Sequence, residues 1–270
     1  MSYPFLKGHG TENDFVLLPD ADGSVHGDLS PERVRALCDR RAGIGGDGVL
    51  RVVRSAAVGG PVEAEWFMDY RNADGSVAEM CGNGIRVFAR YLVDAGLVSS
   101  KDFPVGTRDG LKQVSVDGEL VTVDMGTPVI GRDTWVRVGR GTPQAALQVT
   151  TGNPHAVTWV DDLAQAGPLR EPPDVDGELY PDGVNVEFVV RRGARHLAMR
   201  VHERGSGETR SCGTGACAAM VATAAVDGVP LGTAYRIDVP GGELSVTWTE
   251  DDRLLLTGPA VLVAEGSTDL

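Results

Sequence analysis

The chain has 270 residues, of which 42% are hydrophobic and 23% are charged, so it is long enough for two small domains with apolar cores. Its formal net charge of −13 would repel a phosphate backbone, which argues against a nucleic-acid partner. The first residues lack the basic and apolar regions of a secretory signal, and the longest apolar run, residues 217–226, is too short to cross a bilayer, so we expect a cytoplasmic protein without a membrane partner.

The first half of the chain predicts a strand, a polar turn, a cysteine and a helix in that order. Residues 65–71 alternate as a strand does, and residues 72–76 are rich in turn formers. Cys81 is followed by Gly82 and Gly84, just before a run with apolar residues at 85, 88, 89 and 92, the spacing of a helix. Residues 113–124 then predict a hairpin around an Asp-Gly turn.

The second half repeats this order. Residues 197–202 predict a strand and residues 203–207 a turn, and Cys212 precedes an alanine-rich helix over 216–226. Residues 243–256 predict another hairpin. Asn72 and Glu203 lie equally far before their cysteines. Internal repetition of this kind indicates a duplicated supersecondary unit.

The repeat predicts an α+β fold of two pseudo-symmetric halves, residues 1–129 and 130–270. Each half would be a curved, mostly antiparallel sheet or barrel around one central helix, and the C-terminal tail could pack back on the first half. A pseudo-twofold axis would make Cys81 and Cys212 face each other across an interdomain cleft.

A cysteine at a helix N-terminus is suited to acid/base chemistry. The partial positive charge of the helix end stabilises a thiolate, so we expect a lowered pKa for Cys81 and Cys212. One Gly-flanked cysteine is more often a small buried residue, but two at equivalent positions favour a shared catalytic role. Cys38, in a helical run over 31–41, and Cys217, within the alanine-rich helix, are interpreted as structural.

Metal and cofactor chemistry find little support in the sequence. The five histidines show no zincin spacing and no Cys-x-x-Cys occurs. The three lysines lack the setting of a pyridoxal phosphate Schiff base, and no Walker or dinucleotide-binding loop is present. His155 could be a surface histidine and Glu203 a solvated carboxylate, although a base beside a thiol would activate it.

Over nearly its whole length the chain resembles the diaminopimelate epimerase family. The resemblance lies in residues 10–15, 41–48, 72–76, 81–84, 152–155, 183–186, 203–209 and 212–217. It implies interconversion of LL- and meso-diaminopimelate, in lysine and peptidoglycan-precursor synthesis, without metal or cofactor. It also implies a homodimer whose small-molecule partner is diaminopimelate.

The resemblance assigns a role to each matching residue. Cys81 and Cys212 would be the acid/base pair, assisted by His155 and Glu203. The residues expected to contact substrate are Asn13, Asn72, Gly82, Asn83, Asn153, Asn185, Glu203, Arg204, Gly213 and Thr214. Among these, Arg204 would bind the distal carboxylate, and Gly82, Asn83, Gly213 and Thr214 would clamp the reactive one.

Two positions depart from the family pattern, and other functions remain open. Gly48 stands where some relatives carry an amide, and Glu12 replaces a small residue, which leaves the loop shape open. The nearest alternative is a proline or hydroxyproline racemase-like enzyme, in which Gly-His rather than Gly82-Asn83 would follow the first cysteine. A two-lobed amino-acid-binding module would need no thiol in each lobe.

Overall fold

The structure, a computed structural model, describes residues 2–270, and these residues form two compact units. The chain up to Val123 forms the first unit together with Gly258–Leu270, and Asp124–Thr257 forms the second. Within the described residues, no helix combines the length and apolar character needed to cross a bilayer.

The first unit is built mainly from strands. Its strands are β1 (Tyr3–Gly10), β2 (Asn13–Pro19), β3 (Gly48–Arg54), β4 (Trp66–Asn72), β5 (Asp102–Thr107), β6 (Gly110–Asp117), most of β7 (Leu120–Gly126) and, from the chain end, β18 (Val261–Thr268). Its helices are α1 (Pro31–Cys38), α2 (Ser55–Val58) and α3 (Gly82–Asp94). Strand β1 pairs antiparallel with both β18 and β2. Strand β2 runs parallel to β3, and β3 runs antiparallel to β4. Strand β4 runs parallel to β5, and β5, β6 and β7 then pair antiparallel in sequence.

Helix α3 lies at the centre of the first unit. It contacts β1, β2, β3, β4, β6 and β18. The four apolar residues that predict the helix, Ile85, Phe88, Ala89 and Leu92, are fully buried. A helix that buries most of its circumference must be enclosed by other elements, as the surrounding strands do here.

The second unit has the same kind of architecture. Its strands are β8 (Val129–Arg137), β9 (Gln144–Thr150), β10 (Pro154–Trp159), β11 (Asp174–Val175), β12 (Asn185–Gly193), β13 (His196–Glu203), β14 (Gly207–Thr209), β15 (Thr233–Val239), β16 (Gly242–Trp248) and most of β17 (Leu254–Pro259). A short 3-10 helix covers Leu163–Ala166, and α4 covers Gly213–Asp227. Helix α4 contacts β9, β10, β12, β13, β15 and β16, and most of its residues are buried.

The two units repeat one pattern of strand pairing. In the first, β2 is parallel to β3, β3 antiparallel to β4 and β4 parallel to β5. In the second, β10 is parallel to β12, β12 antiparallel to β13 and β13 parallel to β15. Each pattern continues into an antiparallel hairpin. The predicted α+β fold, with a mostly antiparallel sheet around one central helix in each of two units, is confirmed.

Some element boundaries differ from the sequence prediction. Helix α1 ends at Cys38 rather than near residue 41, because Asp39 adopts an extended conformation and its side chain accepts the N–H groups of Arg41 and Ala42. The first hairpin turn is displaced by one residue, since Asp117 pairs with Leu120 across it.

Gly48 lies at the start of β3, opposite Asn72 at the end of β4. A Cβ at Gly48 would lie 2.5 Å from the Arg71 carbonyl oxygen and 2.7 Å from the Tyr70 ring. Both separations are well below van der Waals contact, and one neighbour is backbone. The departure noted in the sequence therefore has a steric basis, because the strand pairing leaves no room for any side chain here.

We expect Gly48→Ala to destabilise the protein by about 1–3 kcal/mol, because the added methyl must push two paired strands apart. Urea unfolding followed by circular dichroism measures the change. Gly177→Ala is the control, since no atom lies within 4 Å of a Cβ built there. Equal stability of the two variants would contradict the steric account.

Candidate active site

Cys81 caps the N-terminus of α3. Its backbone is extended (φ −142°, ψ 120°), and its Sγ accepts the N–H of Gly84 at 3.4 Å. The side chain is half-buried. The sulfur therefore takes the place that a Ser or Asp oxygen has in an ordinary helix cap, where the helix end stabilises negative charge.

Asn13 presents its side-chain oxygen to this thiol. Its Oδ1 lies 3.7 Å from the Cys81 Sγ and accepts the Asn83 side-chain N–H at 3.1 Å. Its Nδ2 donates to Asp47 Oδ2 at 2.7 Å, and Asp47 in turn pairs with Arg40 at 2.7 Å. Because Asp47 can only accept, it fixes the Asn13 amide with its oxygen toward the sulfur.

The turn that carries Asn13 has an unusual backbone. Thr11 and Glu12, between the paired Gly10 and Asn13, have φ values of 49° and 61°. These belong to the left-handed region used by type I′ hairpin turns, in which Asn and Gly are preferred. Glu12, which replaces the small residue usual in the family, therefore lies in a tight two-residue turn. Each residue with a positive φ there costs about 1–3 kcal/mol.

Arg86 holds this turn against the helix. It is fully buried, and its guanidinium donates to the Gly82 carbonyl at 3.0 Å, to Thr11 Oγ1 at 3.2 Å and to the Pro259 carbonyl at 3.4 Å. One buried cation therefore joins the first turn of α3, the β1–β2 turn and the segment before β18. Asn72, at the end of β4, donates from Nδ2 to Ser76 Oγ at 3.0 Å and stabilises its own loop.

Cys212 caps α4 in the second unit in the same way. Its φ and ψ are −125° and 116°, and its Sγ accepts the Gly215 N–H at 3.3 Å. The Thr214 hydroxyl lies 3.4 Å from the sulfur, and the Thr214 carbonyl accepts from Thr151 Oγ1 at 3.0 Å. Unlike Cys81, this thiol is buried.

Burial reverses the expected pKa of this second thiol. Removal from water raises the pKa of Cys212 well above its usual range, and the charges of Glu203 and Glu187 raise it further. The bonds from Thr214 and Gly215 act in the opposite direction without compensating. The expectation of a lowered pKa is therefore wrong for Cys212, because desolvation and two carboxylates outweigh the helix end.

Glu203 ends β13, and its carboxylate Oε1 accepts a hydrogen bond from the Thr209 hydroxyl. Burial raises the pKa of Glu203, and Glu187 raises it as well, whereas hydrogen bonds from Thr209 and Cys212 lower it. Glu203 is thus placed to accept the Cys212 proton, the arrangement in which a base activates a thiol.

His155 lies on β10 and is fully buried, so the interpretation as a surface histidine is wrong. Its Nδ1 lies 2.7 Å from Glu187 Oε1, and its Nε2 lies 2.9 Å from Asn153 Oδ1. Neighbouring Asn185 accepts the backbone N–H of Arg204 on its Oδ1 at 2.9 Å. The Arg204 side chain is exposed and donates to the Asp182 carbonyl at 3.3 Å.

Each unit therefore gathers its own set of the residues that the sequence singled out. In the first, Asn13, Asn83 and Cys81 are in direct contact, whereas the Asn72 side chain bonds to Ser76 of its own turn. In the second, the Cys212 thiol contacts the Thr214 hydroxyl, the charge of Glu203 raises the pKa of that thiol, and His155 bonds to Asn153. Across residues 2–270, no three His, Cys, Asp or Glu side chains form a metal-ligand cluster.

Four side chains in these clusters were missed as site residues by sequence reasoning: Asp47, Arg86, Thr151 and Glu187. Asp47 and Arg86 stand beside or within recognised motifs, so their position was a signal. Glu187 lies within a run of strand residues, where a lone acidic residue is ordinarily taken as solvent-facing. A third cysteine, Cys38, lies at the end of α1, and burial raises the pKa of its thiol to about 11.

Comparison with known proteins identifies the family. The profile of diaminopimelate epimerase matches residues 5–131 and 147–263. The diaminopimelate epimerase of Streptomyces coelicolor is 60% identical, with 98% of this chain and 95% of that protein covered. That of Thermobifida fusca is 50% identical, with 98% of each covered. This chain belongs to the diaminopimelate epimerase family.

A solved structure shows the same fold in a more distant protein. A hydroxyproline epimerase from Agrobacterium vitis, with bound trans-4-hydroxy-L-proline, superposes with a TM-score of 0.71. The two chains are 16% identical, and the superposition covers 99% of this chain and 92% of the hydroxyproline epimerase. At that identity the likeness concerns the fold alone.

We expect Glu203→Gln to move the pH dependence of Cys212 alkylation to lower pH, because removal of a nearby negative charge lowers the pKa of the thiol. Pulse alkylation at a series of pH values, with peptide mapping by mass spectrometry, measures the midpoint. Glu208→Gln is the control. Glu208 lies on the neighbouring β14, where its carboxylate pairs with Arg200 of β13 at 2.6 Å. An unchanged or higher midpoint in Glu203→Gln would show that the carboxylate does not act on the sulfur.

Proposed function

We propose that the protein converts LL-2,6-diaminopimelate to meso-diaminopimelate without metal or cofactor, and that Cys81 and Cys212 are its two acid/base groups. The observation that carries the proposal is that a cysteine caps the central helix in each of two repeated units. Family membership supports the substrate.

The chemistry requires one proton to leave an α-carbon and another to arrive at the opposite face. One cysteine acts as thiolate and removes the α-proton, so that its sulfur becomes a thiol. The other cysteine, as thiol, donates its proton and becomes a thiolate. Two thiols suit this exchange, because the protonation states that the pair has after the forward reaction are the ones that the reverse reaction needs.

The α-carboxylate would be held at the helix ends. The first N–H groups of an α-helix have no acceptor within the helix, and the helix end favours an anion. Gly82 with Asn83, and Gly213 with Thr214, supply these N–H groups beside each sulfur. Stabilising the carboxylate there also stabilises the negative charge that develops at the adjacent α-carbon.

His155 and Glu203 are proposed to assist the thiols by accepting and returning protons. Glu203 and Cys212 each affect the pKa of the other, which supports the role of Glu203. Asn13, Asn72, Asn153, Asn185 and Arg204 are proposed to contact the substrate. A proline or hydroxyproline substrate is less well supported, because Asn83, rather than His, follows Gly82 and already bonds to Asn13.

We also propose that the protein acts in the cytoplasm, as a homodimer. All four cysteines are free thiols, and a pair of catalytic thiols needs the reducing conditions of that compartment to remain active. The homodimer rests on the family resemblance alone.

Cys81→Ser and Cys212→Ser should each lose nearly all epimerisation, because a serine hydroxyl cannot ionise near neutral pH as a thiol can. A chiral assay of LL- and meso-diaminopimelate measures the rate. Cys38→Ala is the control, since Cys38 lies in α1 and is buried. Substantial turnover by either serine variant would exclude the two-thiol assignment.

Arg204→Lys should lower kcat/KM by more than about tenfold, because lysine cannot form the two parallel hydrogen bonds that a guanidinium gives a carboxylate. Steady-state kinetics with diaminopimelate measure the change. Arg192→Lys, at another exposed arginine of the second unit, should have wild-type kinetics. Wild-type kinetics in both variants would contradict the proposed contact with the distal carboxylate.

A further inference from the structure

Glu187 is a fully buried carboxylate that none of the sequence motifs includes. It lies on β12, where it pairs with Val201 of β13. Burying a carboxylate costs several kcal/mol unless partners compensate it. A residue of this kind in the interior of a catalytic unit calls for an explanation beyond packing.

The Glu187 carboxylate lies between a histidine and a helix end. Its Oε1 is 2.7 Å from His155 Nδ1, and the same oxygen is 2.7 Å from where a Cβ of Gly215 would stand. Gly215 is the residue whose N–H bonds to the Cys212 sulfur. The carboxylate therefore touches the imidazole on one side and the first turn of α4 on the other.

One contact determines which histidine nitrogen carries a proton. An ionised carboxylate only accepts, so it keeps a proton on His155 Nδ1. Nε2 is then the nitrogen that gains or loses a proton, and when it carries one it donates to Asn153 Oδ1, 2.9 Å away. Carboxylates beside catalytic histidines act in this way by fixing the tautomer and the ring orientation.

The second oxygen is not used in this contact. Among residues 2–270, Oε2 of Glu187 has no hydrogen-bond partner. Burial raises the pKa of Glu203, Cys212 and Tyr180, the last to about 12, and the negative charge of Glu187 acts in the same direction on all three. The groups that face Glu187 are thus His155 on β10, Glu203 on β13, Cys212 at α4 and Tyr180.

We propose that Glu187 is a positioning residue for the reaction: its carboxylate holds the proton of His155 on Nδ1, so that Nε2 exchanges protons with the reacting groups. The inference rests on the proposed function in one respect, namely that His155 assists catalysis. Glu187 itself does not touch the substrate in this account.

The first test is the Glu187→Gln variant, which keeps the size of the side chain and removes its charge. We expect kcat to fall about 10–100-fold with little change in KM, as for other residues that orient a catalytic group. We also expect both limbs of the pH profile to move to lower pH, because loss of a negative charge favours the deprotonated form of the neighbouring acids. Glu243→Gln, which removes an exposed carboxylate paired with Arg236, should change neither.

A second variant separates charge from shape. Glu187→Asp keeps the charge but withdraws the carboxylate from His155, so it should lose rate while its pH limbs stay near those of wild type. A purely structural role instead predicts lower rates with unmoved limbs in Glu187→Gln as well as in Glu187→Asp. Unmoved limbs in Glu187→Gln would overturn the proposal, and the tautomer of His155 in the wild type tests it if Glu187→Gln does not fold.

The tautomer itself can be observed without substrate. Long-range ¹H–¹⁵N correlation spectra distinguish the two ring nitrogens, and the signal missing in His155→Gln identifies His155 among five histidines. We expect a proton on Nδ1 in the wild type and a mixture of tautomers in Glu187→Gln. A wild-type His155 protonated on Nε2 alone would overturn the proposal, whatever the outcome of the cysteine variants.

Discussion

The structure depends on one local interaction that occurs twice, a cysteine sulfur accepting an N–H of the first turn of a buried helix. Cys81 and Cys212 bond in this way to Gly84 and Gly215. The helices must be buried, since each is the core of its unit, yet their first turns must stay open enough for a thiol to exchange protons. The glycines beside each cysteine and the strands ending near it follow from these two demands.

Although the two thiols occupy equivalent places, their surroundings differ in charge. Cys81 is half-buried, and its sulfur lies 3.4 Å from the Gly84 nitrogen and 3.7 Å from Asn13 Oδ1. Cys212 is buried beside Glu203 and Glu187, which raise the pKa of its thiol. A duplicated backbone therefore carries two chemical environments. The Cys212 thiol is held protonated near neutral pH, and it becomes a thiolate when Glu203 accepts its proton.

Most of the fold, and the thiol pair, could be predicted from the sequence because helical spacing, turn residues and internal repetition are local signals. The helix over 82–94 and the strand ending at Asn72 are examples. Glu187 and Arg86 could not be predicted, since their burial depends on strand pairings and helix contacts between distant segments. The raised pKa of Cys212 was missed for the same reason: a helix end is visible in sequence, whereas desolvation is not.

The central claim, that two different thiols handle the departing and the arriving proton, is tested most directly by isotope incorporation. The reaction is started with LL-diaminopimelate in heavy water and stopped at low conversion, and substrate and product are analysed separately by mass spectrometry. We predict one deuterium at the inverted carbon of meso-diaminopimelate and none in the recovered LL isomer. Deuterium in the recovered LL isomer at a level comparable with the product would indicate a single group returning protons to one face, and would contradict the account.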